Sequence, residues 1–458
     1  MAEIAPQEIV EASIAAHQSD GAIAFAHSSA SRNARFASNR LTTSGESRRV
    51  SLTAVAIRDG AVGSLRSDVS TAADAAELMR GAEKVASRSQ PAADAFSLYQ
   101  GSRTNRVELE AGLPEPDAFF EFAAAHLNEV FEGARASALE TFGYLEEESD
   151  AVYLATSTGC RDAWFEDRSH FGITVKTEGW NNSVWSGQTG QRVADLNPPS
   201  AFDHCLELLS LASSRASVDA GRYDVVLSSS CVADMLIWMY WLMALRDADE
   251  GKSVFSNRQA GGNRIGESMY PAMIHLRSDP AARAMECLPF VVTSASHSLE
   301  SVFDNGMPLA AVDWIDSGRQ VNLVSTRSYA SKSGLDPAPY VGNLILDGNE
   351  GSSLDLVGEV ERGLYVNCLW YIRMVDPQSA LLTGLTRDGV YLIEDGKIVG
   401  ETNNFRFNMS PVDMLSGAAA LGDSVIATPR EFDDVGIGVK APPMIVKGWN
   451  MSTVSDAL

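Results

Sequence analysis

The sequence is short of cations, short of cysteine, and without any apolar run long enough to leave water. Its 458 residues carry 36 Lys and Arg against 60 Asp and Glu, a formal net charge of −24. A surface that negative repels phosphate backbones. No cluster of Lys and Arg offsets it, which argues against a nucleic-acid partner. The opening stretch, MAEIAPQEIVEASIAAHQSD, has acids and no basic segment, so it is not expected to be a secretion signal. Its apolar run is about half the roughly 20 residues of a bilayer crossing, so no membrane attachment is expected. The five cysteines, Cys160, Cys205, Cys231, Cys287 and Cys368, form no CxxC pair. Reduced thiols and a cytoplasmic location follow as expectations.

Catalytic signatures are equally scarce. The seven histidines (His17, His27, His126, His170, His204, His275 and His297) are scattered, and no two stand at the i, i+4 spacing that lets one helix face hold a metal. His204 and Cys205 are neighbours and point different ways on a helix. His297 and Glu300 are spaced to share a helix face, as many surface pairs are. GxSxG and SxxK are both absent. QAGGNRIGES fits neither phosphate-binding glycine pattern and reads as a surface loop. LDGNEGSSLDL lacks the ligand spacing of a calcium loop and reads as a hairpin turn.

What is present is an ordinary globular mixture, 45% hydrophobic and 21% charged. The chain is too long for one core, and two domains are expected, 1–222 and 223–458. In the first, helical periodicity covers 6–19. Alternation over 22–63, broken at TTSG and RDG, predicts a strand meander. A helix follows, capped by Ser70 or Thr71. Others are predicted from Asp117 to Ala136 and after Pro198 and Pro199, with a second meander from Thr141 to Asp195 between them. Strands segregated from helices give an α+β class. The second domain opens with the strand GRYDVVLSSS and the helix CVADMLIWMYWLMALRDADEGKS. It then turns β-rich: PFVVTSAS, PLAAVDWI, RQVNLVSTRSY, YVGNLILDG, GLYVNCLWYIRMVD and ALLTGLTRDGVYLIEDGKIVGETNNFRFN are read as strands. The tail WNMSTVSDAL is expected to fray.

Within NNFRFN, alternation sends Phe405 and Phe407 to the core and Asn404, Arg406 and Asn408 to the other face. Such a row of amide and guanidinium groups suits a peptide backbone or a carboxylate, and equally an ordinary half-exposed strand.

In their order along the chain, ARFASNRLTTSG, ESDAVYLATSTGCR, DEGKSVFS with RIGES, and above all GLYVNCLWYIRMVDPQSALLTGLTRDGVYLIEDGKIVG with NNFRFNMSP resemble the TldD/PmbA family, specifically its TldE (PmbA) branch. The resemblance implies a heterodimer in which a TldD subunit is a zinc metallopeptidase acting in proteolysis and peptide maturation. The TldD subunit carries HExxxH on the helix before the GKS-type segment, and a further Cys ligand near its C-terminus. Counting back from Ser253, the corresponding positions here are Leu236, Ile237 and Trp241, a degenerate signature helix. The C-terminal stretch REFDDVGIGVKAPPMIV offers no Cys.

The resemblance therefore implies no catalytic residue and no metal on this chain, with zinc on a TldD-like partner and a peptide or peptide-like substrate between the two. Trp370, Tyr371 and Arg373, with Asn404, Arg406 and Asn408, are the expected substrate- or partner-facing groups. Two other readings stay open. One is a pathway-dedicated subunit whose heterodimer modifies a peptide-like natural product. The other is a metal-free binding protein that acts alone as a homodimer.

Overall fold

A computed structural model describes residues 5–101, 116–180, 182–211, 214–433 and 435–455. The protein is mixed α+β and rich in strands. The first part is built on six antiparallel strands, β1 (Gly21–Ala37), β2 (Arg40–Arg58), β3 (Ala61–Asp68), β4 (Leu139–Thr156), β5 (Arg161–Thr177) and β6 (Ser183–Gly190). Their spatial order is β3-β2-β1-β4-β5-β6. Helices α1 (Pro6–Ala15) and α2 (Ala72–Ala86) cover one end of one face. There they meet Ala22, Ala24, Ala26, Ala54 and Ala56, side chains small enough to let helix and sheet approach closely. At Gly63 the approach is closest, since a Cβ would lie 2.1 Å from the Ala82 carbonyl oxygen. Helix α2 starts at Thr71, whose side chain accepts from the Asp74 N–H.

Helices α3 (Pro116–Ala136) and α4 (Pro198–Ser210) cover the other end of that face. Their Phe131 and Phe202 share a core with Phe36, Phe171, and Val226 and Tyr365 of the second part. Both prolines of α4 lie within its first turn, where a missing N–H costs nothing.

The second part begins with β7 (Arg215–Ala216) and β8 (Gly221–Leu227). Strand β8 joins Arg362–Asp376, Leu381–Glu394, Asn404–Met409 and Met444–Ser455 in a closed five-strand ring. A second sheet runs in the order Arg319–Gln320, Val312–Asp316, Leu276–Ser278, Asn343–Leu346, Gly438–Ala441, Val425–Ala427. Helix α5 (Ser229–Trp241) leaves β8 directly and packs against strands of both assemblies. A helix apolar on every side belongs in such a place. Among the described residues, no helix is long and apolar enough to cross a membrane.

The structure corrects several local expectations. The first turn of the meander is Ser38–Asn39, both at positive φ, and TTSG lies inside β2. Two left-handed residues in a row match the right-handed twist of a long hairpin, a demand that Thr42 and Thr43 do not meet. The tail is no frayed end: Trp449 and Met451 are wholly buried in the ring, while residues 456–458 lie outside the described ones. LDGNEGSSLDL leads into a short helix, Ser353–Val357, because Ser352 and Asp355 form a capping box. PFVVTSAS makes one bridge, Phe290 to Pro308, and no strand. RQVNLVSTRSY holds a two-residue strand and the start of the helix Arg327–Ser333. His297 and Glu300 do meet, at 3.2 Å, but across a loop.

Candidate functional site

Helix α5 is tied to the segment 428–433 by two devices. Asp234, fully buried, accepts hydrogen bonds from the backbone N–H groups of Arg430 (3.2 Å) and Glu431 (3.0 Å). Burial pushes its carboxyl well above the usual range, and the two amides oppose that shift. The second device is aromatic. Trp238 and Trp241, three residues apart and so on one helix face, meet edge to face at 5.4 Å, and Phe432 closes the triangle at 6.0 and 5.1 Å.

Leu236 and Ile237 are wholly buried in the core, whereas Trp241 is half-buried. None of the three offers a ligand atom. The face that looks at 428–433 carries the Trp238 and Trp241 indoles, which ligate nothing, and the Asp234 carboxylate, which the Arg430 and Glu431 amides engage. A zinc ion therefore does not fit these residues. Among the described residues, no group of three or more His, Cys, Asp and Glu side chains gathers as a metal site.

The polar strand residues do come together. Along the ring, Trp370 pairs with Leu385 and Leu385 with Arg406, while Arg373 pairs with Thr383 and Thr383 with Asn408. Phe405 and Phe407 are fully buried as the alternation requires, so Arg406 and Asn408 face outward. Tyr371, at φ 55°, sits where the register of its strand slips and is 55% exposed. Glu431 accepts from the Tyr371 N–H and from Arg373 Nη1, both at 2.7 Å. Arg430 lies over the rings of Trp370 (4.5 Å) and Trp185 (5.2 Å), which joins this face to β6. Asn404 meets Thr386 at 3.5 Å.

A second group of side chains is absent from the sequence expectations. On the sheet face away from α1 to α4, β4 presents Glu146, Glu148 and Asp150 directly opposite His170, Arg168 and Glu166 of β5. The signal was there in EEESD and FEDRSH, where every second residue is ionisable. Tyr144 donates to Asp433 of the second part, and its ring stacks on His170 at 5.0 Å. His170 approaches Asp433 at 3.7 Å. Burial lowers the imidazole to about 4, so it is neutral at neutral pH. Burial, then the charge of Glu148, raises Glu146 to about 7. Burial likewise raises Glu148 and Glu166.

Beside this row, a cleft of about 640 Å³ separates β5 and β6 from Ala284–Cys287 and the segments around 426 and 437. That volume is in the range of small-ligand and peptide pockets.

Glu146 carries a testable consequence. Its folded pKa lies above its unfolded value, so the folded state keeps a proton that the unfolded chain has already lost. Stability therefore falls as pH rises from 4.5 to about 7. Glu146→Gln is expected to leave thermal stability near pH 4 unchanged. Near pH 8 it should raise stability by on the order of 1 kcal/mol, after allowance for partial exposure. Melting curves of both proteins at the two pH values check this, and an equal gain at both would remove the charge from the account.

Residues 220–453 match a family model described as the PmbA/TldA metallopeptidase C-terminal domain. No curated protein sequence matches the chain. Among solved structures, TldE from Thermococcus kodakarensis superposes with a TM-score of 0.78 at 13% identity, over 96% of this chain and 98% of that one. A proposed modulator of DNA gyrase from Bacteroides thetaiotaomicron gives 0.78 at 14%, over 98% of each chain. A protein of the same description from Thermotoga maritima gives 0.75 at 15%, over 94% and 96%. At these identities the likeness is one of fold.

Proposed function

This chain belongs to the PmbA/TldD metallopeptidase family, and from that premise we propose that it is a TldE-type subunit without catalytic residues of its own. It pairs with a TldD-like subunit that holds the zinc. It shapes the site that takes peptide in extended form, in proteolysis or in peptide maturation. The observation that carries this reading is the Trp238–Trp241–Phe432 triangle. It fills with aromatic rings the space between the signature helix and the C-terminal segment, where a TldD-type subunit needs ligands. We assign Trp370, Tyr371 and Arg373, which Arg430 and Glu431 contact, and Asn404, Arg406 and Asn408 on a nearby strand to a partner or to substrate. Five buried thiols, none in a disulfide, favour a reducing, cytoplasmic setting.

The test is to purify the chain alone and after co-expression with a TldD homologue, and to measure metal content and mass. The expected result is a one-to-one complex with one zinc, and a metal-free chain when alone. Stoichiometric metal on the isolated chain overturns the reading.

A further inference from the structure

We propose that the cleft between β5–β6 and the 426–439 region is itself a peptide-binding site on this chain, selective for an extended segment that carries a Lys or Arg side chain. Three observations converge on it. The first is the cleft, whose walls hold Trp164, Phe165, Met285, Ile426 and Ile437, apolar surface suited to aliphatic stems.

The second is that two sheet edges border the cleft. Strand β6 ends the first sheet and Val425–Ala427 ends the second; β6 is packed against Leu381–Glu394 near Trp185, whose carbonyl accepts from Asn367 Nδ2, and among the described residues neither strand has a ladder partner on its outer side. Both line the cleft through Thr189, Gly190, Ile426 and Ala427. The two edges meet at one end, where Thr189 and Thr428 hydroxyls lie 3.0 Å apart. An unladdered edge offers both main-chain donors and acceptors to an extended peptide, whereas a polyamine or a metal ion can use the carbonyl oxygens alone.

The third is charge. Five carboxylates line the cleft, from Glu166, Asp167, Asp195, Glu286 and Asp433. Among the described residues that line it, the guanidinium groups are those of Arg168 and Arg192. Arg192 is committed to Asp167. Arg168 is shared between Asp150 (3.3 Å) and Glu166 (3.5 Å). Glu286 receives a neutral amide, Gln191 Nε2 at 3.3 Å, and Asp433 a phenol, with the His170 imidazole 3.7 Å away. Behind the wall stand Glu146 and Glu148, whose carboxyls burial holds above the usual range while Arg168 opposes that shift. A basic side chain entering between Glu166 and Glu286 supplies the missing positive charge.

This extends the peptide reading of the family, and it is tested on the isolated chain, so failure of heterodimer assembly and failure of this site give separate results. The full chain is titrated into labelled short peptides that differ only at a central Lys, norleucine or Glu, and anisotropy is read at low and high salt. Lys is expected to bind at least about tenfold tighter than norleucine at about 50 mM salt, with the gap narrowing at about 300 mM. Glu286→Gln and, separately, Glu166→Gln are expected to shrink that gap to less than about threefold while leaving the norleucine peptide unchanged. Equal binding of all three peptides, binding of none, or a Lys preference that survives both substitutions overturns the proposal. So does displacement of the Lys peptide by spermidine at equal concentration, which would make the cleft a site for small cations.

Discussion

Ile237→Glu, which restores the acidic residue of the metallopeptidase signature at its counted position, is expected to cost more than about 4 kcal/mol and to leave little soluble protein. Ile237 is wholly buried among apolar side chains of the largest core cluster. Removing its side chain from that core forfeits about 1.5–3 kcal/mol of burial. Placing a carboxylate in that apolar surrounding adds a desolvation penalty of several kcal/mol. Against a total stability of about 5–15 kcal/mol, that removes a large share of what holds the fold and unfolds the protein if its stability lies at the low end of that range. Trp241→His, on the half-buried face against Phe432, is expected to cost only about 1–2 kcal/mol and to give folded protein. Denaturant melts of the two variants decide the matter. If Ile237→Glu melts within about 1 kcal/mol of the parent, the packing described for α5 is wrong.

Asp234→Ala is expected to cost about 3–5 kcal/mol, a large effect for one surface-remote residue that touches neither sheet edge. The substitution strands the N–H groups of Arg430 and Glu431, each worth about 1–3 kcal/mol when buried without a partner. It also frees the segment that holds Phe432 against Trp238 and Trp241, and Arg430 between Trp185 and Trp370. Asp234→Asn keeps one acceptor and should cost about half as much. Because both variants loosen the same segment, tryptic cleavage at Arg430 should speed up in the order parent, Asn, Ala. Unchanged cleavage with lowered stability would mean that Asp234 supports α5 and not the segment.

Local chemistry made much of the first part legible. The Thr71 cap, the Asp59–Gly60 turn, the helices after residues 70, 116 and 197, and the buried Phe405 and Phe407 all follow from side-chain spacing alone. What escaped was set by partners distant in sequence. Trp449 lies near the chain end, yet the ring seals it, and no local pattern distinguishes it from a frayed residue. Ser38 and Asn39 outrank TTSG as a turn because a hairpin of 17- and 19-residue strands selects for twist, which composition does not report. The degenerate helix was visible as an apolar run. Which of its residues face the segment 428–433 was not, since that depends on where Asp234 anchors the chain. The ionisable row on β4 and β5 was written in the alternation, but its meaning came from Asp433, which reaches it from the other end of the sequence.

The five-strand ring has a bearing on how the protein is made. Strand β8 and helix α5 are synthesised near the middle of the chain, yet β8 is flanked by Arg362–Asp376 on one side and Met444–Ser455 on the other. The six-strand sheet pairs mostly neighbours in sequence and can assemble while synthesis continues. The ring cannot. Until its last strand emerges, β8 has an open edge and α5 an uncovered apolar surface, the two features that draw nascent chains into aggregates. Ribosome-bound chains that stop short of residue 444 are therefore expected to be the stage most prone to aggregation.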